Sequence, residues 1–400
     1  MSPSRISVQA DDEPAHEMKL AIMGLGAEYP PYQAKAADLD VIAARFYPPS
    51  PALSKVLTIN RYTGIETRSC IGDPDHPLAN GATAPSIAEL CKIFLDEGVA
   101  LSVRACRKAL KEWGGSLDDI THVVSTTCTN SANPGFDHYV IKELGISASV
   151  EKVLLHGVGC SGGLAALRTA ANLALGASFQ RRPARILVLA CEISSVLVRS
   201  ELDLITTEQK IAIGVTLFSD CASAVVLSNG IGPEPRGPPV YSLRGWDHAI
   251  LPDTEADLGF DVDPHGWKVV LSPRVPELAS AAVPAMFKKL VRSIPSLEEE
   301  DSLTAADFDW ALHPGGLTIL TGVQETMGLV PEQLRASYDV YVNHGNSSSA
   351  TIFSVMDKLR KMGMGKKHVL GCAFGPGIAV EMVVLERMDG VEDMPSEALD

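Results

Sequence analysis

One pattern occurs twice in the chain, and that repeat limits the possible folds more than any other feature. Residues 152–175 read KVLLHGVGCSGGLAALRTAANLAL, followed by RILVLACE (185–192) and DCASAVVLSN (220–229). Residues 338–359 read YDVYVNHGNSSSATIFSVMDKL, followed by KHVLGCAFGPGIAVEMVVLE (367–386). Each copy predicts a strand, a glycine turn with small polar residues, a helix, a second strand, a glycine-containing connection and a third strand. Two such copies predict two similar α/β halves, packed so that their turns share one central place. Cys160 and Asn346 sit in the two equivalent turns.

The Pro/Gly-rich stretch NGIGPEPRGPPV (229–240) marks the boundary between the copies. The expected organisation is a first half over 18–232 and a second over 233–388, with solvated tails at 1–17 and 389–400. The GLG at 24–26 lacks GxGxxG spacing and reads as a simple turn after the first strand.

Bulk chemistry excludes several classes of function. Four hundred residues exceed the usual size of one core, in keeping with two halves. With 49 acidic against 34 basic residues the net charge is −15, which argues against nucleic acid or an anionic membrane as partner. The eight cysteines are scattered through apolar segments without a CxxC pair or Cys/His clusters at ligand spacing. Zinc and a disulfide framework are therefore not expected, and reduced thiols point to the cytoplasm. No apolar run reaches the ~18 residues that membrane insertion needs. The acidic, polar N-terminus does not read as a secretory signal.

Three turns carry the chemistry: GCSGG with Cys160, ALHPGG with His313, and NHGNSSSA with Asn346. Each ends a predicted strand and opens a predicted helix, where parallel α/β sheets place their sites. A helix N-terminus favours a thiolate over a thiol, and a cationic imidazole beside Cys160 would favour it further. Singly, each residue has a plainer explanation: a buried structural cysteine, a turn histidine, an asparagine suited to a left-handed turn. Their joint placement on matching turns favours a nucleophile with two helpers.

These segments resemble the chalcone synthase family, the type III polyketide synthases. GCSGG…LR, HPGG…IL, GNSSSA and FGPG stand in the family's order, and the similarity runs from about residue 20 to 386. The loop RSELDLITTEQK is similar to the fungal branch. The resemblance implies a thiolase-like αβαβα layered fold built from two similar halves, a homodimer, and no metal or cofactor beyond the coenzyme A thioester substrates. It implies that Cys160 carries the acyl chain, while His313 and Asn346 donate hydrogen bonds to the malonyl-CoA thioester carbonyl during decarboxylation. It places Phe218 as a gatekeeper between the CoA tunnel and the reaction cavity. Cys128, Thr129, Leu197, Val269, Ser348 and Phe374 fall at the substrate cavity on the same basis, and Lys55 and Arg61 at the CoA phosphates.

The implied reaction is iterative decarboxylative condensation of malonyl-CoA onto an acyl-CoA starter. Release by cyclisation would give an alkylpyrone, alkylresorcinol or resorcylic acid. Val269 opens space where plant relatives carry phenylalanine, whereas Leu197 closes some, which together favour an aliphatic, fatty starter. Two alternatives stay open: a ketoacyl synthase served by acyl carrier protein, and a cysteine hydrolase that cuts a thioester with water.

Overall fold

The computed structural model describes residues 19–388, apart from 236, 264–265, 299–302 and 364. The expected tails at 1–17 and 389–400 lie outside the described residues. Before the Pro/Gly boundary the strands are β1 (Leu20–Glu28), β2 (Tyr32–Ala34), β3 (Arg68–Cys70), β4 (His122–Thr126), β5 (Glu151–Leu155), β6 (Arg185–Ile193) and β7 (Asp220–Ser228). After it come β8 (Tyr241–Ile250), β9 (Leu258–Asp263), β10 (Gly266–Leu271), β11 (Phe308–Leu312), β12 (His368–Gly375) and β13 (Ala379–Arg387). Nine of these hydrogen-bond in the order β11-β12-β13-β8-β1-β7-β6-β4-β5, while β2/β3 and β9/β10 form separate ribbons.

The repeat is visible in this order. The run β4-β6-β7-β1 matches β11-β12-β13-β8: in each, the first pair is parallel and the next two are antiparallel. The copies meet where β1 pairs with β8. Helices Gly162–Phe179 and Thr351–Lys361, one from each copy, lie side by side and contact strands of both half-sheets. Helix Val99–Trp113 covers β1 and β7 outside, and helix Val275–Arg292 covers β8 and β13. The resulting sequence of layers, helix, sheet, helix, sheet, helix, is the thiolase-like architecture.

A helix between two sheets buries most of its surface, so the side chains that face the sheets must be small or apolar. Helix Gly162–Phe179 buries Leu164, Ala165, Ala166, Leu167, Ala170, Ala171 and Ala174, and helix Thr351–Lys361 buries Ile352, Phe353, Val355, Met356 and Leu359. Phe353 is fully buried between the layers. Phe353→Ala is expected to cost about 3–5 kcal/mol, since transfer and cavity costs add. Urea unfolding checks this, and a loss below about 1 kcal/mol would show that the central layer is not packed as described.

Two sequence expectations need correction. YDVYVNH, read as the strand of the second copy, lies in helix Arg335–His344. Its buried residues Ala336, Ser337, Val340 and Tyr341 have helical spacing, and the alternating apolar letters conceal that face. Thus β5 has no counterpart, although the turns that follow do correspond. The GLG at 24–26 is not a turn but lies inside β1. A Cβ on Gly24 would fall 2.0 Å from the Ala109 carbonyl oxygen, and one on Gly26 would fall 2.7 Å from that of Ala105. The glycines let helix Val99–Trp113 pack directly on the strand.

Candidate active site

Cys160 lies in the short turn Gly159–Ser161 that opens helix Gly162–Phe179. The flanking glycines are there for proximity. Gly159 has φ +59°, and a Cβ on it would fall 2.5 Å from Cδ of Pro376, in FGPG. A Cβ on Gly162 would meet Thr126 Oγ1 at 2.6 Å, and one on Gly163 would meet the Ser349 carbonyl oxygen at 2.5 Å. GCSGG is thus in contact with both GNSSSA and FGPG, which is why its glycines leave no room for a side chain.

Asn346 follows helix Arg335–His344 and is tied to the first copy by its backbone. Its N–H donates to the Leu217 carbonyl at 3.0 Å, and its carbonyl accepts from Ser219 N–H at 2.9 Å, which pairs Asn346 with Phe218. The side-chain Oδ1 accepts from Ser348 N–H at 2.8 Å, and Nδ2 donates to the Gly315 carbonyl at 3.2 Å. The Asn346 amide therefore lies between the Cys160 turn and the His313-Pro-Gly-Gly turn.

His313 directly follows β11, and its N–H donates to the Cys372 carbonyl at 2.8 Å, extending the β11–β12 pairing. The ring is 1% exposed, and neither ring nitrogen has a hydrogen-bond partner. Burial pushes its pKa down to about 3, so the imidazole is neutral, with one N–H and one lone pair unengaged. Burial also pushes the Cys160 thiol up to about 11, and the Glu192 charge adds to this. Hydrogen bonds from Ser348 and Asn346 to the sulfur act in the opposite direction. The expectation of a cationic imidazole beside a thiolate is therefore corrected. At rest the site holds a thiol and a neutral imidazole, because both groups are out of water.

Glu192 escaped the sequence analysis. It is fully buried at the end of β6 and accepts from Thr129 Oγ1 at 2.8 Å, from Cys128 N–H at 3.1 Å and from the Ser349 hydroxyl. Burial raises its pKa while these hydrogen bonds lower it. Cys128 Sγ lies 3.4 Å from Glu192 Oε2 and 3.6 Å from Ser348 Oγ. A polar network thus runs from Thr129 and Cys128 through Glu192 to the serines beside Cys160. The one available signal was an acidic residue in an otherwise apolar strand, RILVLACEI.

Leu197 and Phe218 line a cleft together with Ser194, Val198, Leu39 and Ile42. The cleft is narrow, with a cavity volume of about 50 Å³, opens to solvent and is also lined by Tyr32, Asp73 and His76. Val269 does not line this cleft. It pairs with Phe260 in the β9/β10 ribbon and packs on the apolar cluster that contains Leu197. Phe374, in β12, packs in the second copy's core and is 2% exposed. Lys55 and Arg61 lie on helix Pro51–Arg61, which packs against the turn Gly214–Leu217 before Phe218. Arg61 is engaged by Asp40 at 3.0 Å. Among the described residues no His/Cys/Asp/Glu group could hold a metal, and no helix is long and apolar enough to cross a membrane.

Comparison with known proteins gives the layered fold and its cysteine turn a family. The chalcone and stilbene synthase models match on both sides of the boundary, the N-terminal domain over residues 54–233 and the C-terminal domain over 243–389. The type III polyketide synthase pspB of Penicillium soppii is 44% identical over 389 residues, covering 94% of this chain and 98% of that protein. The acylalkylpyrone synthase csyB of Aspergillus oryzae is 40% identical over 379 residues, covering 93% and 95%. The crystal structure of the fungal type III polyketide synthase ORAS superposes with a TM-score of 0.89 at 58% identity, over 92% of this chain and 100% of that one. The chain belongs to the chalcone and stilbene synthase family, and it is a type III polyketide synthase of the fungal branch.

Proposed function

We propose that Cys160, His313 and Asn346 form the reaction centre of this synthase and that the starter is a fatty acyl-CoA. Cys160 attacks the starter thioester as its proton passes through His313 to the departing CoA sulfur, so that CoA leaves as the free thiol, the imidazole is neutral again and the acyl group is held on sulfur. Malonyl-CoA then loses carbon dioxide, and the charge moves onto its thioester oxygen, where His313 N–H and the Asn346 amide donate. The enolate carbon attacks the Cys160 thioester and forms the new carbon–carbon bond, releasing the thiolate. Transfer of the extended chain back to Cys160 repeats the cycle, and cyclisation releases an alkylpyrone or an alkylresorcinol-type ring. The observation that carries these roles is the pair of unengaged nitrogens on a buried, neutral His313, next to the turn that Asn346 grips.

The cleft from Leu197 and Phe218 supports a flexible aliphatic starter, since its deep walls are largely apolar. Its mouth carries Asp73, unsuited to CoA phosphates, so the cofactor arm enters elsewhere, with Lys55 and Arg61 on the neighbouring helix as contacts. A homodimer fits the open edge of β5, where Glu151, Lys152 and Val153 are exposed at the end of the sheet. Eight unpaired thiols suit the reducing cytoplasm, and the only small molecules the chemistry needs are CoA thioesters.

Incubation with labelled malonyl-CoA and a ladder of acyl-CoA starters, read by mass spectrometry, tests this reading. Cyclised polyketides from long-chain starters are expected. Free fatty acid without carbon dioxide would identify a hydrolase, and inert malonyl-CoA beside active malonyl-carrier protein would identify a ketoacyl synthase. Leu197→Trp, which fills the cleft, is expected to shift the preferred starter to shorter chains by about 10-fold or more in relative kcat/KM. An unchanged chain-length profile would move the acyl tail out of the cleft.

A further inference from the structure

We propose that Arg68 and Glu201 are positioning residues that grip the Val215 backbone from both sides and, through the Phe218–Asn346 pairing, set where the Asn346 amide points. This rests on the role given above to Asn346. Val215 N–H donates to Glu201 Oε2 at 2.6 Å, and the Val215 carbonyl accepts from Arg68 Nη1. The backbone of one residue therefore joins Arg68 to Glu201 through its two flanking peptide groups, although the two side chains do not touch as an ion pair.

Both groups are costly where they are. Arg68 is 7% exposed and Glu201 1%. A buried charge is unfavourable unless it is paired and fully hydrogen-bonded. Glu201 Oε1 has no partner, and the Val215 amide is the one hydrogen bond that offsets its burial. Even the backbone makes room for it, since a Cβ on Gly214 would fall 2.4 Å from Oε1. Apolar residues of similar size would fill this space at lower cost, so the polar pair is kept for where it fixes Val215.

What it fixes leads directly to the reaction centre. Val215 belongs to the turn Gly214–Leu217, whose last carbonyl accepts from Asn346 N–H at 3.0 Å. Ser219 N–H returns to the Asn346 carbonyl at 2.9 Å, and the Ser219 and Ser347 hydroxyls meet at 2.8 Å. Arg68 also touches the far side of this pairing. Gly345 has φ +75°, and a Cβ there would fall 3.0 Å from both Arg68 Cγ and the Leu217 carbonyl oxygen. The Arg68 stem thus lies against the residue before Asn346, while its head holds the turn to which Asn346 is bonded. The second copy contributes Asn346, and the first copy aims it.

Malonyl-CoA decarboxylation by Arg68→Met, Glu201→Leu and Glu201→Gln, each alone and combined with Asn346→Ala, tests the proposal. Met keeps the stem beside Gly345 but removes the head, and Gln keeps the acceptor for Val215 N–H. Arg68→Met and Glu201→Leu are expected to lower kcat about 10- to 100-fold with KM for malonyl-CoA unchanged, the usual effect of a small misplacement. Glu201→Gln should recover most of the loss. In the Asn346→Ala background neither variant should lower the rate further, because each acts through Asn346. A wild-type kcat in both single variants, or losses that multiply in the Asn346→Ala background, overturns the proposal. If Asn346→Ala itself decarboxylates at the wild-type rate, the role of Asn346 is wrong instead, and the two failures are distinguishable. Thermal melting identifies a variant that merely fails to fold, and the other position then decides.

Discussion

Cys160→Ala is expected to abolish polyketide formation while leaving the fold intact. Removing the nucleophile of a covalent acyl-transfer enzyme costs on the order of 10⁶ in kcat. The nearest thiol cannot replace it. Cys128 is 7% exposed, burial and the Glu192 charge hold its pKa well above the usual thiol range, and its sulfur is engaged by Glu192 and Ser348. It also lies outside the turn that opens helix Gly162–Phe179, so it lacks the N–H groups and partial positive charge that a thiolate there enjoys. Intact-protein mass spectrometry should show an acyl adduct on the wild type and none on Cys160→Ala. Malonyl-CoA decarboxylation should persist in the variant, because His313 and Asn346 remain. An acyl adduct on the variant, or chain extension by it, would give the nucleophilic role to another residue.

The candidate site was legible because the chemistry proposed for it needs uncommon residue types at turns, most of whose glycines are fixed by close approach. GCSGG, GNSSSA and FGPG each carry such a constraint, since the structure packs the Gly159, Gly162, Gly163, Gly345 and Gly375 backbones where a Cβ would have no room, whereas a Cβ on Gly316 of HPGG would meet nothing within 4 Å. The layered fold was legible through the repeat, since β4-β6-β7-β1 and β11-β12-β13-β8 share one hydrogen-bonding pattern. What escaped depends on distant contacts. YDVYVNH alternates like a strand, but it buries a helical face that includes Tyr341, whose hydroxyl donates to the Thr63 carbonyl 278 positions away. GLG looked like a turn because nothing local announces helix Val99–Trp113 above it. Glu192 is one acidic letter in an apolar strand, and its partners Thr129 and Ser349 come from two other segments. The protonation states also escaped, because helix-terminus and charge-pair reasoning omits the desolvation that dominates at both Cys160 and His313.

His313→Gln and Asn346→Ala are each expected to lower malonyl-CoA decarboxylation by about 10²–10³, the usual cost of losing one oxyanion donor. The two donors differ in what they do at rest. Asn346 Nδ2 already has a partner in the Gly315 carbonyl at 3.2 Å, so its direction is fixed before substrate arrives. His313 has none, so its N–H is unspent and the oxyanion takes it without breaking another bond. Gln keeps an N–H donor but is not held by the β11 terminus as a rigid ring, and a partial rather than complete loss is therefore expected. The double variant should lose less than the product of the single losses, because both donors serve one oxygen. The pH dependence separates a neutral donor from a cationic one. With its pKa lowered to about 3, His313 stays neutral from pH 8 down to pH 5, so the decarboxylation rate should show no step near 6.5 over that range. An imidazolium donor would instead make the rate rise as pH falls through its pKa. A single-turnover decarboxylation series over that range decides between them, and an acid-side rise that disappears in His313→Gln would reverse the assignment.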